Sequence, residues 1–172
     1  MRAGIEEVFG DDQPVQRCRN HKLDNVMQEL PKEQHHQTRN LMRAAWKVNT
    51  VEEGEKRLEQ LARSLEHDYE SAARSLREGM KDMFTLQRLQ IPVSLHKCLA
   101  TTNLIESPHS GVRRRTHNVS RWRDSAMVER WVASAWLLTE KHFRRIDGHA
   151  NLWALAAILG RTTKTSKKEK VA

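Results

Sequence analysis

Thr50-Val51-Glu52-Glu53-Gly54-Glu55-Lys56-Arg57-Leu58-Glu59-Gln60-Leu61-Ala62-Arg63-Ser64-Leu65 is the stretch that decides the fold class. Thr50 with Glu53 three residues on makes a capping box, in which hydroxyl and carboxylate satisfy the orphan amides of a helix start. Behind it, Gly54, Leu58, Leu61 and Leu65 recur at four- and three-residue steps, so they share one face of an α-helix and leave the charges on the other. Such a face needs a cover, and the flanking sequence supplies it. Downstream, a helix from Asp68 repeats the stripe with Tyr69, Ala73, Leu76, Met80 and Met83. Upstream, Lys32 to Val48 carries Thr38, Leu41, Met42, Ala45 and Trp46 on one face, and Leu23 to Leu30 forms a helix ended by Pro31. Together these predict a small antiparallel helical bundle.

Further out the reading stays helical. Pro92 breaks the pattern, a short helix follows over Ser94 to Leu99, and Asn103 is placed to cap a helix carrying Glu106. A long helix spans Ser125 to Phe143 with a core-like stripe of Met127, Trp131, Ala135, Leu138 and His142, and Asn151 to Leu159 forms a last one stopped by Gly160. At the front, Met1 to Phe9 reads as a short helix closed by Gly10, with Asp11-Asp12-Gln13-Pro14 as a turn. Val15-Gln16-Arg17-Cys18-Arg19 then has the look of a strand. Nothing else alternates at period two, so that strand has no ladder partner; either it is no strand or its sheet lies elsewhere. From 161 to 172 the chain is polar and basic and reads as a disordered tail.

At 172 residues the chain has the length of about one domain. Its formal charge of +8 and pI near 9.9 favour polyanionic partners, nucleic acid first. The longest apolar run, Leu152 to Leu159, is too short to span a bilayer, no signal-peptide pattern opens the chain, and no membrane role is expected. Cys18 and Cys98 form no disulfide framework and fit a reducing, cytoplasmic compartment.

Glu106 stands alone. No other carboxylate occurs until Asp124, and the interval holds Arg113, Arg114, Arg115, Arg121 and Arg123. Carboxylates hold Mg²⁺ and arginines hold phosphate, so the pattern points to phosphodiester chemistry, for which one carboxylate is too few. With Asn103 as N-cap, Glu106 falls at the third helical position, where it also fits a plain capping role. Arg113 lies two turns further along the same face and can address the same phosphate region.

The blocks Thr101-Thr102-Asn103-Leu104-Ile105-Glu106-Ser107, Asn118-Val119-Ser120-Arg121-Trp122-Arg123-Asp124 and Phe143-Arg144-Arg145-Ile146-Asp147-Gly148-His149 resemble the C-terminal part of bacterial insertion-sequence transposases of the Mutator family. Val15 to Lys22 is similar to the Cys-x-x-His segment of that family, here Cys18 and His21. The resemblance implies metal-dependent cleavage and joining of DNA at transposon ends by a ribonuclease-H-like fold. Two aspartates and a glutamate there hold two Mg²⁺ (or Mn²⁺) ions. Glu106 would be that glutamate and so the catalytic and metal-binding residue. Asn103, Arg113, Arg114, Arg115, Arg121, Trp122, Arg123 and Lys22 would contact DNA, with Cys18 and His21 near the site. Trp122 fits base stacking but is read first as a core residue.

The expected fold is therefore mainly α, with at most one short strand. Residues 1–22 would be a remnant of the ribonuclease-H-like core, 23–100 a helical insertion, and 101–160 the catalytic-glutamate helix with the C-terminal helices. Similar proteins are more than twice as long and carry both aspartates ahead of the part matched here, so the chain reads as a truncated transposase, inactive alone and holding no metal tightly. Its expected partners are DNA (transposon ends and target) and full-length transposase or a second copy, with a nucleoid-associated location. The faces that expect a sheet, on Met1 to Phe9 and on the Glu106 helix, would be exposed. A non-catalytic basic DNA-binding module is the alternative. A helical protein unrelated to DNA is a third reading, favoured only if the arginines pair with the chain's own acids. Zinc held by Cys18, His21, His96 and Cys98 matches no common ligand spacing, and His35-His36 reads as solvated surface.

Overall fold

The computed structural model describes residues 13–160 and, ahead of them, positions 4, 7, 8 and 10. The expected Met1–Phe9 helix falls on them only in part, and Asp11, Asp12 and the basic tail from 161 onward lie outside them. Among the described residues no strand occurs.

The first four helices are α1 (Arg19–Gln28), α2 (Lys32–Ala45), α3 (Val51–Glu66) and α4 (Glu70–Arg77). They gather around one core that includes Val26, Met42, Leu58, Ala62, Ala73 and Leu76. On α3 the expected stripe is buried throughout. Thr50 Oγ1 accepts the Glu53 amide at 3.4 Å, while the Glu53 carboxylate turns to Arg57 Nε at 2.7 Å, so half of the capping box forms. Gly54 is a close approach, since a Cβ there would collide with the Phe84 ring. On α2, Thr38, Met42, Ala45 and Trp46 point inward as expected, but Leu41 is exposed.

The helix expected to run on from Asp68 through Met83 is interrupted. At Gly79 the backbone takes φ +65°, a left-handed conformation that ends α4. The chain resumes as a 3₁₀ turn, Lys81–Phe84, and a short helix, α5 (Thr85–Arg88). Met83 and Phe84 still reach the core, so the apolar spacing survives the break.

Val15 to Cys18 is extended but forms no strand, and α1 begins at Arg19, four residues ahead of the expected Leu23. Its polar groups find partners in the 82–86 turn instead of a ladder. The Arg17 amide donates to the Asp82 carbonyl at 2.9 Å, and Thr85 Oγ1 donates to the Val15 carbonyl at 2.7 Å. The Gln16 side chain donates to the Met83 carbonyl at 3.1 Å and accepts the Leu86 amide at 3.1 Å. The Val15 carbonyl and the Arg17 amide, which would otherwise need a ladder, find their partners in that turn.

A second, smaller core of Leu86, Ile91, Leu95 and Ala100 lies around α6 (Val93–Leu99). Beyond it α7 (Asn103–Thr116) packs on α8 (Ser125–Glu140), which is capped by Asp124 Oδ1 accepting the Met127 amide at 2.7 Å. They approach closely at Gly111, where a Cβ would lie 2.5 Å from Thr139 Cγ2. The stripe expected to be core on α8 is not. Ala135 is buried, but Trp131 and Leu138 are 46% and 47% exposed, because α8 turns Ala135 and Thr139 toward α7 and nothing described covers the adjoining face. α8 also stops at Glu140, three residues before Phe143. A 3₁₀ turn, His149–Asn151, leads into α9 (Leu152–Ile158), which Gly160 follows in a left-handed conformation as expected. No helix among the described residues is long and apolar enough to cross a membrane.

Candidate nucleic-acid interface

Helix α7 carries the pattern that sets Glu106 apart. Thr102, and not Asn103, precedes the helix; Asn103 is its first residue and Glu106 its fourth. The capping-box geometry is therefore absent. The Glu106 carboxylate accepts a hydrogen bond from Thr102 Oγ1 at 2.7 Å, and the same oxygen lies 3.3 Å from His21 Nε2. Its side chain stays half exposed.

Thr102 ties this corner together. Its single hydroxyl proton goes to Glu106, while the oxygen lies 3.4 Å from Cys18 Sγ and 3.4 Å from His21 Nδ1. The near-site pair Cys18 and His21, at the start of α1, is thus brought to the start of α7 across more than 80 residues of chain. The Ala100 carbonyl fixes the join by accepting the Arg19 amide at 2.9 Å. Burial works to raise the Cys18 thiol, but hydrogen bonds from the His21, Thr102 and Asn20 amides oppose it. The thiol is held below its ordinary range.

The expected DNA contacts divide. Arg113, Arg114, Arg121 and Arg123 are exposed, as is Asn103. Among the described residues the side chains of Arg113, Arg114 and Arg121 meet no hydrogen-bond or ion-pair partner, and Arg123 meets only Asp124 at 3.6 Å. Arg115 is turned inward, bonding the Gly111 carbonyl at 3.1 Å and Thr139 Oγ1 at 3.3 Å, which joins α7 to α8. Trp122 does not enter a core; it is 39% exposed between two arginines on the extended segment before α8.

Lys22, expected on the DNA surface, is turned inward. Its side chain is fully buried, with the ammonium on the Ser75 carbonyl and 3.3 Å from Glu78 Oε2. Burial pulls its pKa down, helped by nearby Arg17 and opposed by Glu78. It fastens α1 to α4.

Several of the chain's acids are engaged elsewhere. Arg57 pairs with Glu53, Arg77 with Glu59 and Glu66, Arg88 with Glu55, and Arg17 with Glu78, all within the bundle or its edge. The arginines from 113 to 121 are left out of that network, which removes the observation the DNA-unrelated reading required.

Glu106 is the single carboxylate of its cluster, and among the described residues no three His, Cys, Asp or Glu side chains gather closely enough to hold an ion. These residues do not by themselves build a two-Mg²⁺ site. The His96 and Cys98 side chains face their own helix surroundings, Nε2 at 2.8 Å from the Ile91 carbonyl and Sγ donating to the Leu95 carbonyl at 3.1 Å. His35, expected as solvated surface, is half-buried with Nε2 2.9 Å from the Leu30 carbonyl.

Thr102 is the residue the sequence does not single out, although Thr directly ahead of a helix that bears a lone Glu one turn in is the available signal.

Comparison with known proteins identifies the family. The sequence model described as "Transposase, Mutator family" matches residues 1–145. The chain is 30% identical over 114 residues to the transposase for insertion sequence element IST2 of Acidithiobacillus ferrooxidans, a match covering 66% of this chain and 38% of that protein. The chain thus spans about two fifths of the length of that relative. No solved structure matches. The chain belongs to the Mutator family of transposases.

Proposed function

We propose that this chain takes part in metal-dependent cleavage and joining of DNA at insertion-sequence ends, supplying one carboxylate and a phosphate-binding face of the site. The observation that carries this reading is Glu106, half exposed one turn into α7, held by Thr102 and His21 and followed two turns on by the unpaired Arg113. The guanidinium of Arg113 suits a backbone phosphate, and the amide of Asn103 can donate to another. Arg114, Arg121 and Arg123 extend the cationic surface. The two further carboxylates would come from a ribonuclease-H-like portion outside the described residues, and the working partners would be transposon ends, target DNA, and a longer transposase chain or second copy.

From this follows an expectation for the polypeptide by itself. In a strand-transfer assay with Mg²⁺ or Mn²⁺ on a duplex bearing an insertion-sequence end, it binds DNA but yields no cleaved or joined product, because one carboxylate cannot fix two ions. A joined product that disappears with Glu106→Gln would overturn that expectation.

A second reading is favoured by one observation, the unpaired state of Arg113, Arg114 and Arg121 among the described residues. On it the chain is a non-catalytic DNA-binding module. Glu106→Gln separates the two: it alters the Mg²⁺ dependence of end binding if Glu106 addresses a metal, and leaves that dependence unchanged if the surface only binds phosphate.

A further inference from the structure

The block Phe143 to His149 carries part of the family resemblance without a role of its own. In the structure it forms one wall of a groove of about 600 Å³, whose other wall is the α6–α7 junction. That volume falls within the ~300–1,000 Å³ usual for ligand sites. Its lining includes Lys97, Asn103, Ser107, Phe143, Arg144 and Arg145.

The wall is fastened to the fold. Lys97 Nζ pairs with Asp147 at 2.7 Å, and Asn151 Nδ2 donates to Ser94 Oγ at 2.7 Å. Gly148, at φ +77°, lets the chain pass so close to Ser94 that a Cβ would meet its carbonyl. Phe143 is 52% exposed, with its ring set edge-on to Trp136 at 6.5 Å. Arg144 and Arg145 are exposed, and among the described residues neither has a hydrogen-bond or ion-pair partner. The one carboxylate in the lining, Asp147, is engaged by Lys97, so the two guanidinium groups are uncompensated.

We propose that this groove takes an unpaired DNA strand, with Arg144 and Arg145 on its phosphates and Phe143 against a base; the inference rests on the DNA-joining function proposed above. Free guanidinium groups beside an open aromatic ring are the elements of a single-strand site, in which cations track the backbone and rings stack with bases. A duplex is too wide to enter so small a groove, whereas one strand fits. Asn103 and Ser107 line the groove from the same turn of α7 that carries Glu106, whose own side chain lies outside the lining. An acidic peptide would meet the same arginines but gains nothing from Phe143.

The test uses the whole chain, with fluorescence anisotropy on oligothymidylate and on a blunt duplex, and with polyglutamate as competitor. Arg144→Ala/Arg145→Ala should weaken oligothymidylate binding and lower its log–log salt slope by about 1.4, at ~0.7 for each phosphate left without its arginine. Phe143→Ala should weaken oligothymidylate binding about tenfold at unchanged slope. Because the Phe143 ring packs edge-on to Trp136, its melting curve is compared with wild type; the arginine pair, with no hydrogen bond or ion pair among the described residues, serves as the fold-neutral variant. If Arg113→Ala/Arg114→Ala abolishes binding while Arg144→Ala/Arg145→Ala leaves oligothymidylate binding unchanged, this inference fails and the DNA reading stands. If polyglutamate displaces oligothymidylate equally well from wild type and from Phe143→Ala, the groove reads charge alone and the inference is overturned. Failure of the wild type to bind either DNA sinks both.

Discussion

Lys22 is a charged side chain with no access to solvent, satisfied by the Ser75 carbonyl and Glu78. Removing it leaves a buried carbonyl without its donor and a small cavity, so Lys22→Ala should cost about 2 kcal/mol of stability in a urea melt. The variant's duplex affinity at a fixed salt concentration should match wild type; a loss of affinity without a loss of stability would return Lys22 to the DNA surface. Sequence cannot place this residue, since lysine is almost never fully buried and only the fold brings Ser75 and Glu78 around it. Glu106 and Arg113 are legible because helical spacing alone puts them on one face. The cap falls one residue earlier than the spacing predicts, as Thr101, Thr102 and Asn103 are all cap-forming types and helix ends are the least determined part of a helix. The bulk of Trp122 predicts burial, yet a tryptophan on an extended segment between two arginines has no helix face to bury it.

Among elements, α3 is legible from end to end because cap, stripe and charges all agree. α4 is shorter than its apolar period predicts: the period continues past Gly79 and does not reveal that Glu78 to Met80 bends around Arg17. A Cβ at position 79 would lie 2.6 Å from Arg17 Nη1, and the left-handed backbone disfavours any side chain. Gly79→Ala should therefore lower stability by about 1–2 kcal/mol, measured by thermal or urea unfolding; an unchanged midpoint would mean the turn is not held as described. Val15 to Cys18 is no strand because its partners are side chains and a turn nearly 70 residues away. For α8 the periodicity reveals the apolar face but not its cover. Val128, Trp131 and Leu138 remain exposed there.

Across the whole molecule, charge is segregated. Five carboxylates of the bundle, Glu53, Glu55, Glu59, Glu66 and Glu78, are engaged by its own arginines, while α7 and the segment after it carry cations that meet no acid except Asp124. Glu53, Glu59, Glu66 and Glu78 are all held below the ordinary carboxylate range, chiefly by hydrogen bonds from Arg57, Arg77, Arg77 and Arg17 respectively. A carboxyl whose pKa is lower folded than unfolded stabilises the fold fully above its unfolded value, near 4.5, and loses that contribution as pH falls through the folded value. The melting temperature should be level above that pH and fall below it, and Arg77→Gln should flatten the fall. A melting temperature that held or rose on acidification would contradict the network.

On the function proposed above, α7 and its following segment face the DNA, and the guanidinium groups that meet no acid there carry that claim. It is tested most directly by the salt dependence of duplex binding for wild type and for Arg113→Ala/Arg114→Ala/Arg121→Ala. Each phosphate no longer neutralised removes about 0.9 from the log–log slope, so the triple variant should bind more weakly to every sequence with a slope shallower by about 2.7. A slope identical to wild type would contradict the account.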